Sequence, residues 1–268
     1  IGNEMSEPTT PPATDYPSLL RLDGQTAVVL GGGFGIGRET CLALAQAGAR
    51  VFCVDLDASR AEAMAAEVNG EALIADVTKR QDVEILFDKV LQSAGRVDCV
   101  VDIVGRADIG PLADVDDAGW ADQLDVVLTH GLLAMQIGGH AVTISGGGSM
   151  VFVGSISGMT SLPGQTAYGA AKAALLHLVK GMAQELAPSV RVNAVAPGFV
   201  KTPRLSEIVG DKGWDALAKV IPIGAAAEPA EIASVILFLA SGLASHITGQ
   251  TILTDGGVAG HVPLPKLW

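Results

Sequence analysis

Seven short apolar segments recur along the chain: Thr26–Leu30, Arg50–Asp55, Glu71–Ala75, Val97–Val104, Ser149–Val153, Val190–Val195 and Gln250–Thr254. Their hydrophobicity is nearly continuous, as in strands of a parallel sheet covered on both faces. Between them lie stretches with helical spacing of apolar positions, over Arg38–Ala47, Arg80–Ala94, Asp117–Ile137, Thr166–Ala187 and Pro229–Ala240. The last has Pro in its first turn, where no backbone N–H is needed. Strand and helix alternate with no long linker. The pattern predicts one doubly wound α/β domain, with a parallel seven-stranded sheet and helices on both faces. Ligands of such sheets bind outside the carboxyl ends of the strands, where the winding reverses.

Two stretches break the alternation. Residues 1–20 are rich in Pro, Thr, Ser and Glu, and read as a flexible amino-terminal arm ahead of a domain over 21–268. Met5 is the expected start. Residues 199–223 mix Phe199, Leu205, Ile208, Trp214 and Ile221 with polar residues after a strand end. That placement suits a substrate lid as well as an ordinary surface helix.

Composition narrows the partners. A net charge of −12 argues against nucleic acid or an anionic membrane. No uninterrupted apolar run approaches the ~20 residues of a membrane helix, and no secretory signal is visible. Cys41, Cys53 and Cys99 sit in apolar segments without metal-ligand spacing. They read as reduced core residues of a cytoplasmic protein with no metal site.

The first strand runs into Gly31-Gly32-Gly33-Phe34-Gly35-Ile36-Gly37 and then into a helix. Glycines there let the backbone approach an anion, and the free N–H groups at the helix start hold it. The second strand ends in Asp55, eighteen residues after Gly37. An acid at that point suits the ribose hydroxyls of an adenine dinucleotide and repels a 2′-phosphate. Leu56 and Asp57 add no cation, so NAD is expected over NADP. Asp55 also reads as a helix cap ahead of Ala58. Asp76, Gly105 and Pro197-Gly198 fall at other strand ends facing the same crevice.

Tyr168 and Lys172 are four apart, on one face of a helix, and Ser155 closes the fifth strand. A Tyr and a Lys so spaced are common on helix surfaces. In this company they suit proton exchange with an alcohol or carbonyl oxygen. Tyrosine is a poor base, with a free pKa of about 10. An ammonium ~5 Å away would favour the phenolate by roughly 3 kcal/mol at an effective dielectric of ~20. Lys172 is therefore expected to lower the pKa of Tyr168, and Ser155 to bond the substrate oxygen.

Over about residues 22–257 these motifs resemble the short-chain dehydrogenase/reductase family, a Rossmann-fold family, in its one-domain form. The resemblance rests on Gly31-x-x-x-Gly35-Ile36-Gly37, on Ser155, Tyr168 and Lys172, on Arg191–Gly198, and on Asp255-Gly256-Gly257. It implies hydride transfer between a nicotinamide and a carbinol carbon. Tyr168 would exchange the hydroxyl proton, and Lys172 would hold the nicotinamide ribose. It implies cofactor contacts at Gly31, Gly33, Phe34, Gly35, Ile36, Gly37, Asp55, Leu56, Asp76, Val77, Gly105, Tyr168, Lys172, Pro197, Gly198, Val200 and Thr202, the last at the nicotinamide amide. It also implies a homo-oligomer, tetramer or dimer, joined through the two long central helices. The apolar end His261–Trp268 would pack on a neighbour.

Three departures stand against the family pattern. Leu30 replaces the Thr before the glycine loop. Asp102-Ile103-Val104-Gly105 replaces Asn-Asn-Ala-Gly, and an apolar Leu30–Ile103 contact is expected in exchange. Val127 replaces an Asn that holds a water for proton relay to the lysine. His130, a turn away, is a candidate for that relay, with a solvated or packed role the more ordinary expectation.

The leading reading is an NAD-dependent alcohol dehydrogenase or ketone reductase. Its small-molecule substrate is expected to be apolar or cyclic, given Met159, Leu162, Pro163 and the lid. A binding or regulatory protein with a weakened nucleotide site is the alternative. A lyase, epimerase or dehydratase reusing the tyrosine is a third.

Overall fold

The computed structural model describes residues 13–260. Seven parallel strands form one sheet, here β1 (Thr26–Leu30), β2 (Arg50–Asp55), β3 (Glu71–Ile74), β4 (Cys99–Asp102), β5 (Gly148–Val153), β6 (Val190–Pro197) and β7 (Thr251–Thr254). Their spatial order is β3-β2-β1-β4-β5-β6-β7. The winding therefore reverses between β1 and β4, which pair through Ala27–Cys99 to Leu30–Asp102.

Each face of the sheet has its own apolar core. Val28, Leu30, Phe52, Phe152 and Val100 point one way, against helices α3 (Arg80–Ala94), α4 (Asp117–Ile144) and α5 (Thr166–Glu185). Val29, Val51, Cys53, Val101 and Val151 point the other way, with residues of α1 (Ile36–Gln46), α2 (Ala58–Glu67) and α7 (Pro229–Ala240). α6 (Pro203–Ala218) lies outside both cores and has no buried residue.

The strand and helix positions follow the sequence pattern, with shifted ends. β4 is shorter than the apolar run around it, because Ile103 and Val104 leave the ladder to form the crevice wall. α4 runs on to Ile144, past the expected Ile137. It bonds in wider π-type turns over Asp125–Thr129 and Ala134–Gly138. By length and composition α4 could cross a bilayer, yet over half of that stretch is buried within the fold.

The end of the expected flexible arm over residues 1–20 is structured. Pro17–Leu20 form a 3-10 turn, and Leu22 is buried, its N–H donating to the Ala47 carbonyl. Burial of one large apolar side chain is enough to tie the segment down. The first twelve residues, and the segment His261–Trp268 expected to pack on a neighbour, lie outside the described residues. The expected lid is mostly helix, α6, split by Gly210 at φ 62°, ψ 171°.

Candidate active site

The crevice begins at the glycine loop. Gly31 and Gly35 hold positive φ angles of 79° and 55°, which favour glycine. A Cβ on Gly37 would stand 1.9 Å from the Gly31 carbonyl oxygen, so α1 can start this close only without a side chain. The loop is pinned from below: the N–H groups of Gly31 and Gly32 both donate to the Val54 carbonyl at 2.9 Å. Gly33 N–H donates to Asp55 Oδ2 at 3.1 Å.

This loop, the ends of β2, β3 and β4, and the start of α6 enclose a cavity of about 670 Å3. Of the positions expected at the cofactor, Gly31, Phe34, Gly35, Ile36, Asp55, Leu56, Asp76, Val77, Gly105 and Thr202 line it. Gly33, Gly37, Tyr168, Lys172, Pro197, Gly198 and Val200 are not among its lining residues. Gly33 and Gly37 shape the loop, Val200 is buried, and Gly198 lies where a Cβ would meet Asp255 at 2.9 Å. The Thr202 hydroxyl caps α6, accepting from Leu205 N–H at 3.3 Å.

Arg60 was not anticipated. It lines the cavity beside Asp55, with its guanidinium 4.7 Å from the centre of the Phe34 ring. The cap of α2 is Asp57, which accepts from Ser59 and Arg60 N–H, and this turns Arg60 toward the loop. The cap at Asp57 was the signal: Arg60 follows it by three residues, on the first turn of the helix. Asp55 instead accepts from Asp57 N–H at 3.0 Å and is not the cap.

Ser155, Tyr168 and Lys172 gather at the end of β5, behind the Gly105 wall of the cavity rather than among its lining residues. Ser155 is extended and caps the short turn Ile156–Gly158, its Oγ accepting from Ser157 N–H at 3.1 Å. Two glycines let this turn press onto α5. A Cβ on Gly158 would lie 2.8 Å from the Lys172 carbonyl carbon, and one on Gly169 would lie 2.5 Å from the Ser157 oxygen. Lys172 is buried, and its Nζ donates to the Val153 carbonyl at 2.7 Å. A Cβ on Gly105, in the cavity wall, would stand 3.2 Å from that Nζ.

The electrostatics differ from expectation. Burial raises the pKa of Tyr168, and the neighbouring Ser155 hydroxyl opposes the rise. Lys172 is not among the causes. Its Nζ is 5.8 Å from the Tyr168 ring centre and turned to the Val153 carbonyl. Lys172 itself is lowered to about 8, by burial first, with the Asp102 charge opposing. Desolvation outweighs the lysine–phenol attraction that the spacing suggested.

The departures resolve differently from a simple swap. Leu30 lies beside Asp102 in the ladder and faces the core that holds Val28 and Val100, whereas Ile103 packs into the opposite core. No Leu30–Ile103 side-chain contact substitutes for the missing polar one. The main chain joins them, Ile103 N–H donating to the Leu30 carbonyl at 3.0 Å. Asp102 instead pairs with His130, Oδ2 to Nδ1 at 2.8 Å, both side chains almost wholly buried. Val127 is fully buried.

Residues 32–259 match a family model described as enoyl-(acyl carrier protein) reductase. A 3-oxoacyl-[acyl-carrier-protein] reductase of Thermotoga maritima is 35% identical, across 89% of this chain and 99% of the relative. D-threitol dehydrogenase of Mycolicibacterium smegmatis is 36% identical, across 89% and 94%. Among solved structures, a 7α-hydroxysteroid dehydrogenase complexed with NADH and 7-oxo glycochenodeoxycholic acid superposes with a TM-score of 0.86. It is 30% identical, across 91% of this chain and 98% of that one. The chain belongs to the short-chain dehydrogenase/reductase family, whose members are oxidoreductases binding a nicotinamide cofactor.

Proposed function

We propose that this chain is an NAD-dependent oxidoreductase acting between an apolar, cyclic secondary alcohol and its ketone. The carrying observation is the Tyr168–Lys172 pair beside Ser155, with Lys172 directly behind the cavity wall at Gly105. The cavity residues suit the cofactor: the positive-φ glycines form a cradle that side chains would fill, and Asp55 lies where ribose hydroxyls would meet a carboxylate. The nicotinamide, when bound, supplies or accepts the hydride.

The chain's own groups handle the proton. Tyr168 holds it on the phenol at neutral pH, since burial raises its pKa. A protonated phenol is a general acid, so the resting site is set for reduction of a ketone. Ser155 Oγ positions the carbonyl oxygen. Lys172 sets the charge beside the phenol and holds the nicotinamide ribose. The remaining cofactor contacts proposed from the family resemblance, Pro197, Gly198 and Val200 included, complete the cradle.

Asp55 supports NAD over NADP, and the bile-acid ligand of the steroid dehydrogenase neighbour supports a cyclic apolar substrate. Exposed Ile109, Leu112, Met159, Ile208 and Ile223 support the same substrate class. We further place the protein in the cytoplasm as a homotetramer or dimer, its exposed Trp120, Leu132 and Ile144 on α4 suiting a subunit contact.

Calorimetric titration with NADH and then NADPH tests the reading. Tighter binding of NADH, followed by oxidation of NADH with a cyclic ketone, is the expected result. Binding of neither nucleotide would put the regulatory-scaffold alternative first.

A further inference from the structure

Asp102 and His130 form the one buried acid–imidazole pair among the described ion pairs, and the chemistry assigned above does not use it. Asp102 ends β4 at the crossover point of the sheet, flanked by Leu30 on β1 and Phe152 on β5. Its Oδ1 accepts from Val104 N–H at 3.2 Å, and its Oδ2 faces His130 Nδ1. His130 Nε2 is buried with no hydrogen-bond partner among the described residues. α4 bonds in π-type turns on both sides of His130–Leu133.

A carboxylate this buried is costly unless a partner or an opposite charge stands nearby. Two elements supply these: α4 brings His130, and α5 brings Lys172. The flanking residues on β1 and β5 are apolar. Lys172 is in the same position from the other side. It is a buried ammonium whose one hydrogen bond among the described residues is to the Val153 carbonyl, next to Phe152, the β5 neighbour of Asp102. Its Nζ lies 3.2 Å from where a Cβ on Gly105 would stand, one residue past Val104, whose N–H donates to Asp102. The Asp102 charge opposes the lowering of its pKa by burial.

We propose that Asp102 is the counter-charge that keeps Lys172 protonated, and that His130 is a positioning residue that fixes the Asp102 carboxylate for this purpose. The Asp102 and His130 departures are then a matched pair rather than separate losses. Together they give the catalytic lysine an electrostatic partner at the place where Val127 offers no polar side chain. The inference rests on the proposed function only for the catalytic role of Lys172. The charge coupling itself is testable without turnover.

The experiment is thermal unfolding of the full chain across pH for the parent, Asp102→Asn, Lys172→Met and the double variant. Below about pH 7 the two substitutions are expected to be strongly non-additive, and near pH 10 their coupling should shrink as Lys172 loses its charge. Additivity at every pH would overturn the proposal. In the same cycle His130→Gln, which retains an amide donor for Asp102, should preserve the coupling, while His130→Val should weaken it. Equal coupling in both would overturn the role of His130. Once turnover is measured, Asp102→Asn should move the alkaline limb of kcat to lower pH by about one pH unit, with KM for NADH unchanged. An unmoved limb overturns the catalytic consequence, whereas a parent with no turnover at all speaks against the proposed function and leaves the unfolding result to decide the coupling.

Discussion

β4 has a buried aspartate at each end. Asp98 precedes it and Asp102 closes it, 4% and 1% exposed. Asp98 is fully served. It accepts from Thr26 N–H at 2.8 Å and from the half-exposed Arg96, whose Nε lies 2.8 Å from Oδ2. It fastens β1 to β4 at the amino ends of the strands, and its countercharge reaches solvent. Asp102 has a buried imidazole, one main-chain N–H and a buried ammonium for company. The same residue type is a fastening at one end of a strand and part of a charge system at the other. A parallel sheet gathers its crevice at the carboxyl ends, so strain and unmet polarity are tolerated there and removed at the opposite end.

Four measurements would sharpen or break that contrast. The largest effect belongs to the carboxyl end. Tyr168→Phe should lower kcat by about 10²–10⁴-fold, the usual worth of a general acid, while NADH binding by calorimetry stays near the parent value. Substantial residual turnover would remove Tyr168 from the chemistry.

Next is the cost of the buried ammonium. The pKa of Lys172 is lowered from 10.5 to about 8 on folding. The unfolded chain therefore holds the extra proton between those values, and stability rises with pH across that window. Lys172→Met should abolish the rise, which is worth ~3 kcal/mol, in denaturant titrations across that window. A parent protein whose stability is flat from pH 8 to 10.5 would contradict the burial of this charge.

The amino end should answer in stability alone. Asp98→Ala leaves Thr26 N–H without an acceptor, a loss of ~1–3 kcal/mol, and kcat per folded molecule should not change. An altered pH profile in Asp98→Ala would erase the distinction between the two ends. The smallest effect is one of selectivity. Asp55→Ala should narrow the preference for NADH over NADPH by about tenfold, equal to ~1.4 kcal/mol. With Arg60 at hand in the same wall, an unchanged ratio would show that Asp55 does not read the ribose.

The contrast also marks what the sequence disclosed. The glycine loop, Asp55 and the Ser155–Tyr168–Lys172 set were legible because each depends on local spacing: a strand end, a turn without side chains, one helix face. Arg80–Ala94 and Pro229–Ala240 were legible to the residue, since their apolar stripe and terminal residues coincide. The Asp102–His130 pair was not. Twenty-eight residues separate its partners, and π-type turns lie on both sides of the His130 segment in α4, so no regular period foretells which side chain faces β4. Arg60 escaped because its placement depends on a cap at Asp57 rather than on Asp55. The pKa order of Tyr168 and Lys172 escaped for a different reason: spacing gives the distance between charges, but burial decides whether water or protein surrounds them.

The glycine loop is held by bonds that exist before any ligand arrives. Gly31, Gly32 and Gly33 already spend their N–H groups on Val54 and Asp55, and Gly37 donates to the Phe34 carbonyl at 2.9 Å. Beneath it a Cβ on Gly32 would come within 3.0 Å of Cys41 Sγ, so the loop has no room to sag into the core. The conformational entropy of this segment is therefore surrendered during folding rather than at the encounter with a nucleotide. Capture of the pyrophosphate becomes a collision with a finished surface, and the speed of association is left to diffusion and charge instead of to the time a loop needs to find its shape.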